Sequence, residues 1–288
     1  MTFFNATSES SLIDYLKGRG LTRTTIKQLV RYSAIEVNGV VVKNLDLLVQ
    51  KGDRISLIKD NKESRVIPSL GIRLIYEDDA LIVTEKAAGL LTIASETEKT
   101  KTAYYQLNQY LKQRAHGAGE RVFIVHRLDR DTSGLMVFAK NEEIKRILQS
   151  NWQKVEKRYY AVVEGTPGKS EGKIESYLCE TKSLKVYSDH HSGTAKLAVT
   201  QYRVITRNRL YSLLDILLET GRKNQIRVHL ADIGHPVAGD KKYGARTDPF
   251  RRLGLHAYLL SFKHPVNEKP MRFVSRIPKK FGMFGLSE

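Results

Sequence analysis

The sequence predicts an α+β fold: a mixed, mostly antiparallel sheet in the larger part of the chain, preceded by a small α/β module. Three observations lead there. Short β-rich segments dominate from residue 72 onward, few helical segments interrupt them, and a polar stretch containing Pro68 divides this region from a basic amino-terminal piece. The expected domains are residues 1–60 and 71–288, joined by a linker over 61–70.

In the first piece, Leu12, Ile13, Tyr15 and Leu16 form an apolar-periodic segment that stops at a turn over 18–20. A second helix is expected over 24–32, capped by Thr22 or Thr24, with Ile26, Leu29 and Val30 facing a core. Residues 35–37 and 40–42 flank Asn38-Gly39, a two-residue hairpin turn, and 53–57 alternates as a closing strand. Beyond the linker, strands are expected at 72–76, 81–84, 135–139, 159–163, 202–205 and 213–218, with helices at 103–114, 142–152 and 224–233.

With 48 basic against 31 acidic residues the chain carries a formal charge of +17, which implies a polyanionic partner. Nucleic acid fits better than a membrane surface, because no basic amphipathic helix with exposed bulky apolar residues stands out. Arg19, Arg23, Lys27 and Arg31 lie in a stretch without acidic residues, and the last three recur every four positions as one stripe. Such a stripe is either a solvated face or a phosphate-binding one, and on so small a module we favour the second. The single cysteine, Cys179, excludes internal disulfides and multi-thiolate metal sites and reads as a buried small residue. His-Glu-x-x-His spacing is absent, so no metal or other cofactor is expected. A cytoplasmic, monomeric protein is the expectation, since no long apolar run or signal-like start occurs.

Two arginines, two aspartates and a histidine crowd into His126-Arg127-Leu128-Asp129-Arg130-Asp131-Thr132-Ser133-Gly134, which runs into an apolar strand where charge is costly unless paired. Read alone, the segment suits a turn as well as a reactive site. The run resembles the signature of pseudouridine synthases of the RluA type. Three further segments resemble that family in the same order. They are Ile75-Tyr76-Glu77-Asp78-Asp79 through Glu85-Lys86-Ala87-Ala88-Gly89; Lys157-Arg158-Tyr159; and Thr220-Gly221-Arg222-Lys223-Asn224-Gln225-Ile226-Arg227 with Gly239-Asp240. Residues 11–60, including Val37-Asn38-Gly39 and Lys51-Gly52-Asp53-Arg54-Ile55, resemble the S4 RNA-binding domain. Two positions depart from the family pattern: Ala87 stands where proline is usual, and Lys223-Asn224 where a small residue and histidine are.

The resemblance implies an isomerase that converts uridine in structured RNA to pseudouridine, with ribosomal RNA favoured over transfer RNA. It implies Asp129 as the catalytic carboxylate, Tyr159 stacked on the target uracil, and Arg227 as the cation that keeps Asp129 ionised, with Arg222 as the alternative. His126 and Arg127 would fill the space of the flipped base or grip its phosphate, while Tyr160 should point to the opposite face and pack. The rival expectations are a non-enzymatic S4-type RNA-binding protein and a basic DNA-binding or phosphodiesterase-type enzyme, a class that generally needs clustered metal-binding side chains.

Overall fold

In the computed structural model of the chain, the described residues are 2–23, 26, 29–30, 35–38, 40–42, 44, 46–57, 65–67, 71–114, 121–189, 193 and 195–284. They divide into two compact units, Met1–Glu63 and Ser64–Glu288.

The first unit holds β1 (Thr2–Asn5), β2 (Ser10–Ser11), α1 (Leu12–Lys17), β3 (Ile35–Val37), β4 (Val40–Val41), β5 (Leu48–Val49) and β6 (Arg54–Leu57). Strands β1, β6, β3 and β4 lie side by side in that order, all antiparallel, and β2 pairs with β5. Helix α1 starts where the Ser11 hydroxyl accepts the Asp14 backbone N–H at 3.1 Å. Its buried Leu12, Ile13 and Leu16 meet Ile26, Val30, Ile35 and Ile55 in one core. At the expected hairpin, Asn38 takes φ 53°, donates to Asp53 at 2.8 Å and accepts from the Arg54 N–H at 2.9 Å. The expected helix over 24–32, with Lys27 and Arg31, lies largely outside the described residues.

The second unit is built on a twelve-stranded sheet. Its strands are β7 (Arg65–Ile67), β8 (Ile72–Glu77), β9 (Leu81–Lys86), β10 (Phe123–Ile124), β11 (Ser133–Ala139), β12 (Glu156–Glu164), β13 (Glu171–Glu180), β14 (Val186–Ser188), β15 (Lys196–Arg207), β16 (Tyr211–Leu218), β17 (Leu255–Lys263) and β18 (Pro270–Val274). They run β14-β13-β15-β16-β12-β17-β11-β9-β8-β7, with β10 beside β11 and β18 beside β17. The helices are α2 (Ala103–Arg114), α3 (Glu142–Ser150) and α4 (Gln225–Asp232). This is the mixed, mostly antiparallel α+β arrangement that the sequence predicts. One stretch differs: Arg65–Ile67, expected inside the linker, pairs with β8 as an edge strand.

Strand β11 is buried over its whole length because both of its faces are covered. Leu107 and Leu111 of α2 join Met136 and Phe138 in one cluster, while Ile144 and Leu148 of α3 join Leu135 and Val137 in another. Against β17, β11 makes a parallel pairing, Ser133↔His256 and Gly134↔Ala257, in a sheet whose other ladders among the described residues are antiparallel. Gly134 sits at φ 123°, and a Cβ there would lie 2.2 Å from the Ala257 carbonyl oxygen. Gly134→Ala should therefore break this seam and cost about 3 kcal/mol or more, read as a lower urea midpoint at unchanged m-value.

Beside the seam, His256 is 1% exposed; its Nδ1 meets the Ser133 hydroxyl at 2.7 Å and its Nε2 the Ser275 hydroxyl at 3.0 Å. Burial, then the nearby Arg252 charge, pushes its pKa from 6.5 down to about 3. The unfolded chain therefore takes up a proton that the folded chain refuses between these two values, and stability falls as pH drops through 6.5 toward 3. The expected slope from this residue is about 1.4 kcal/mol per pH unit. Thermal unfolding across that range should show it, with a flatter dependence in His256→Gln.

Candidate active site

Asp129 sits on the loop between β10 and β11, and this loop is clamped residue by residue. The Leu128 N–H and carbonyl both bond the buried Thr92 hydroxyl, at 3.2 and 2.7 Å. The Asp129 carbonyl accepts from Thr132 N–H at 3.2 Å, and the Arg130 carbonyl accepts from Gly89 N–H at 2.9 Å. From the end of β9, the wholly buried Lys86 extends its ammonium to the carbonyls of Ala87, Leu90 and Arg130 at 3.0, 2.7 and 2.9 Å. Burial pulls the Lys86 pKa down to about 7, with Asp131 and Asp129 opposing. Lys86 and Gly89 thus tie the segment 85–89 directly to the Asp129 loop, although sequence reasoning gave neither a role.

Facing this loop is the first turn of α4. Arg227, with only 12% of its side chain exposed, reaches Asp129 Oδ2 through Nη1 at 3.3 Å. Its closer partner is Asp240, which accepts from Nε at 2.6 Å and Nη2 at 2.8 Å in a bidentate pair. Burial opposes the charge of Arg227, but Asp240 first and Asp129 second hold its pKa above the ordinary arginine value. Asn224 also accepts from Nη1, at 3.1 Å, and the Tyr243 ring lies 5.0 Å from the guanidinium carbon. Asp240 and Tyr243 went unassigned in the sequence. An acidic residue in the Gly239-Asp240 pair, of opposite sign to Arg227, was the available signal.

Tyr159 joins Asp129 and Arg227 in the wall of one small hollow, together with Thr132, Leu218 and Leu255. Burial and the Asp129 charge raise its pKa well above the ordinary phenol value, so its hydroxyl stays protonated. Tyr160, on the opposite face, stacks on Tyr258 with ring centres 3.9 Å apart, as expected. Arg127 and Arg222 are exposed and line the same hollow. The Arg222 Nε donates to the Leu197 carbonyl at 3.0 Å; among the described residues Arg227, not Arg222, pairs with Asp129.

His126 departs from its expected place. Its Nε2 accepts the Val137 N–H at 3.1 Å, its ring stacks on Trp152 at 4.4 Å, and it does not line the hollow. Burial, with Lys157 nearby, lowers its pKa to about 3. A neutral imidazole spent on a backbone donor is a packing element, not a grip on phosphate. In the amino-terminal unit, Arg23 is exposed, and exposed Arg19 rests over Phe4 and Tyr15 at 5.0 and 5.4 Å; Lys27 and Arg31 lie outside the described residues.

Both departures from the family pattern have structural counterparts. The Ala87 N–H donates to the Gly71 carbonyl at 2.7 Å, a bond that proline could not make. Asn224 adopts a left-handed φ of 54°, which asparagine tolerates better than most residues. Among the described residues no three His, Cys, Asp or Glu side chains gather to hold a metal ion, and no helix is long and apolar enough to cross a membrane.

Comparison with known proteins places the chain in a family. The sequence model of the RNA pseudouridylate synthase family matches residues 80–232, a span that holds Asp129, Tyr159 and Arg227. An uncharacterized RNA pseudouridine synthase of Bacillus subtilis is 34% identical over 260 residues, covering 86% of this chain and 83% of its own. The ribosomal large subunit pseudouridine synthase D of Haemophilus ducreyi is 31% identical, over 90% of this chain and 84% of its own. Among solved structures, human RNA pseudouridylate synthase domain containing 4 superposes with a TM-score of 0.60 at 26% identity, covering 72% of this chain and 89% of that one. The chain belongs to the RNA pseudouridine synthase family, of the RluA type, and is an isomerase acting on RNA.

Proposed function

We propose that this enzyme isomerises uridine in large-subunit ribosomal RNA, with Asp129 as the catalytic carboxylate. The observation that carries this reading is the single 3.3 Å contact between Asp129 and the buried Arg227, in a hollow shared with Tyr159. The reaction breaks the N1–C1′ bond, turns the base and joins C5 to C1′, while C5 gives up a proton and N1 gains one. Atoms and electrons balance without a redox partner or energy source. An ionised carboxylate serves the ribose either by attack at C1′ or as a base leading to a glycal, and both routes need a counter-charge such as Arg227. Tyr159 stacks on the uracil, and its protonated hydroxyl remains available as a hydrogen-bond donor. A uridine within folded RNA must first be flipped out to reach this hollow, and Arg127 and Arg222 at its wall are suited to its flanking phosphates.

The ribosomal target is supported by the relatives in Haemophilus ducreyi and Pasteurella multocida, each a ribosomal large subunit pseudouridine synthase D 31% identical over 90% of this chain. The amino-terminal unit acts as an S4-type module that holds the RNA backbone. Its helix-then-hairpin order and the basic run Arg19, Arg23, Lys27 and Arg31 support that role.

Pseudouridine maps of total RNA from cells with and without the gene should differ at one or more large-subunit sites. Wild type should restore them and Asp129→Asn should not, because its rate falls by roughly three orders of magnitude or more. Persistence of every site in the deletion, or rescue by Asp129→Asn, would overturn the reading, and a loss confined to transfer RNA would overturn the target. Lys27→Glu with Arg31→Glu should weaken RNA binding and reduce the slope of log affinity against log salt by about 1–2 units. An unchanged slope in a salt titration would remove the amino-terminal unit from the RNA-binding surface.

A further inference from the structure

A guanidinium has five N–H groups, and at Arg227 three oxygen-bearing side chains accept from four of them. Asp240 occupies one edge through Nε and Nη2, at 2.6 and 2.8 Å. Of the three N–H groups that remain, the two on Nη1 are directed at Asn224 Oδ1 at 3.1 Å and Asp129 Oδ2 at 3.3 Å. Asn224 is itself held, since its Nδ2 donates to the Tyr243 hydroxyl at 2.9 Å. That hydroxyl also accepts the Val186 N–H at 3.3 Å, and the Tyr243 ring supports the guanidinium. Asp240 is 2% exposed and Asn224 8%, so water does not compete freely for these bonds.

We infer that Asp240, Asn224 and Tyr243 are positioning residues that restrict Arg227 to one long contact with Asp129. The inference rests on Asp129 as the catalytic carboxylate. A carboxylate gripped by two short guanidinium bonds is ionised but occupied, and its lone pairs are no longer free for the ribose. Asp240 takes the bidentate edge, and Asn224 takes one of the two remaining Nη1 hydrogens. What is left for Asp129 is charge with little occupancy. Asn224 is the part particular to this chain, since histidine is usual at its position.

Charge-neutral variants of the full-length enzyme test this. Changing Asp240 would alter the charge of the site along with its geometry, so it stays intact. Asn224→Gly removes the amide without strain at φ 54°, and Tyr243→Phe removes only the hydroxyl that orients it. Carboxyl-carbon NMR of the free enzyme, with the Asp129 signal assigned by its loss in Asp129→Asn, reads the contact directly. In Asn224→Gly the released guanidinium should close on Asp129 and displace its carboxyl-carbon signal, with a smaller displacement in Tyr243→Phe. Single-turnover conversion of an in vitro transcript of large-subunit ribosomal RNA should slow about fivefold in Asn224→Gly while the Kd for that transcript is unchanged. An unmoved Asp129 carboxyl-carbon signal in both variants overturns the inference, as does a rate loss matched by an equal loss of RNA affinity. Failure of the underlying reading looks different: Asp129→Asn would convert the transcript as fast as wild type, while the carboxyl-carbon signals of the other variants would still report where the guanidinium sits.

Discussion

One buried guanidinium organises the site. Arg227 lies between two carboxylates, Asp240 at 1% side-chain exposure and Asp129 at 26%, and its own side chain is 12% exposed. Withdrawing these charges from water costs several kcal/mol per ion, so the arrangement persists only because each partner is fixed by the surrounding fold. Two carboxylates against one guanidinium leave the centre one negative charge in excess. The exposed Arg127 and Arg222 at the wall of the hollow, and the formal +17 of the chain, offset what would otherwise repel RNA phosphates.

The sheet makes that fixing possible. In the order β16-β12-β17-β11-β9, neighbouring strands carry Leu218, Tyr159, Leu255, the end of the Asp129 loop and Lys86 toward one region. Asp129 and Arg227 are 98 residues apart in sequence, and their alignment depends on the β11·β17 seam where Gly134 lies against Ala257. Lys86 acts over a shorter range. By filling three carbonyls around the loop it removes the freedom that would let the aspartate drift from the guanidinium.

Elements with strong local patterns were legible in the sequence. Helix α2 has the bounds that its apolar spacing predicts, and β11 announced itself as an unbroken apolar run because helices cover both of its faces. Strands β1, β2, β5, β10, β13, β14, β17 and β18 went unread. In β13, Glu171, Lys173 and Glu175 alternate with half-buried partners on an open face, which reads as loop without knowledge of the neighbouring strands. Edge strand β7 was hidden for the same reason, in a stretch whose charges and proline suggested a linker. At the site, motif order brought out Asp129, Tyr159 and Arg227, and the structure brings them together. His126 shows the limit of that reasoning: three residues from Asp129 in sequence, it bonds Val137 and stacks on Trp152, because the chain between them turns.

Asp240 was hard to find for a deeper reason. A sequence motif marks residue types, whereas the division of labour between two aspartates on one arginine is set by burial and hydrogen-bond geometry alone. The more deeply buried carboxylate, with two short bonds, can only anchor. The one reached by a single 3.3 Å contact on the wall of an open hollow keeps lone pairs unoccupied, as the role proposed for Asp129 requires. On the proposed reading a single aspartate could not serve both ends, because the bonds that would hold the guanidinium rigid are the bonds that would block the ribose. Separating the bidentate anchor from the singly contacted carboxylate lets the site keep a negative charge poised in a small space without spending that charge on its own stability.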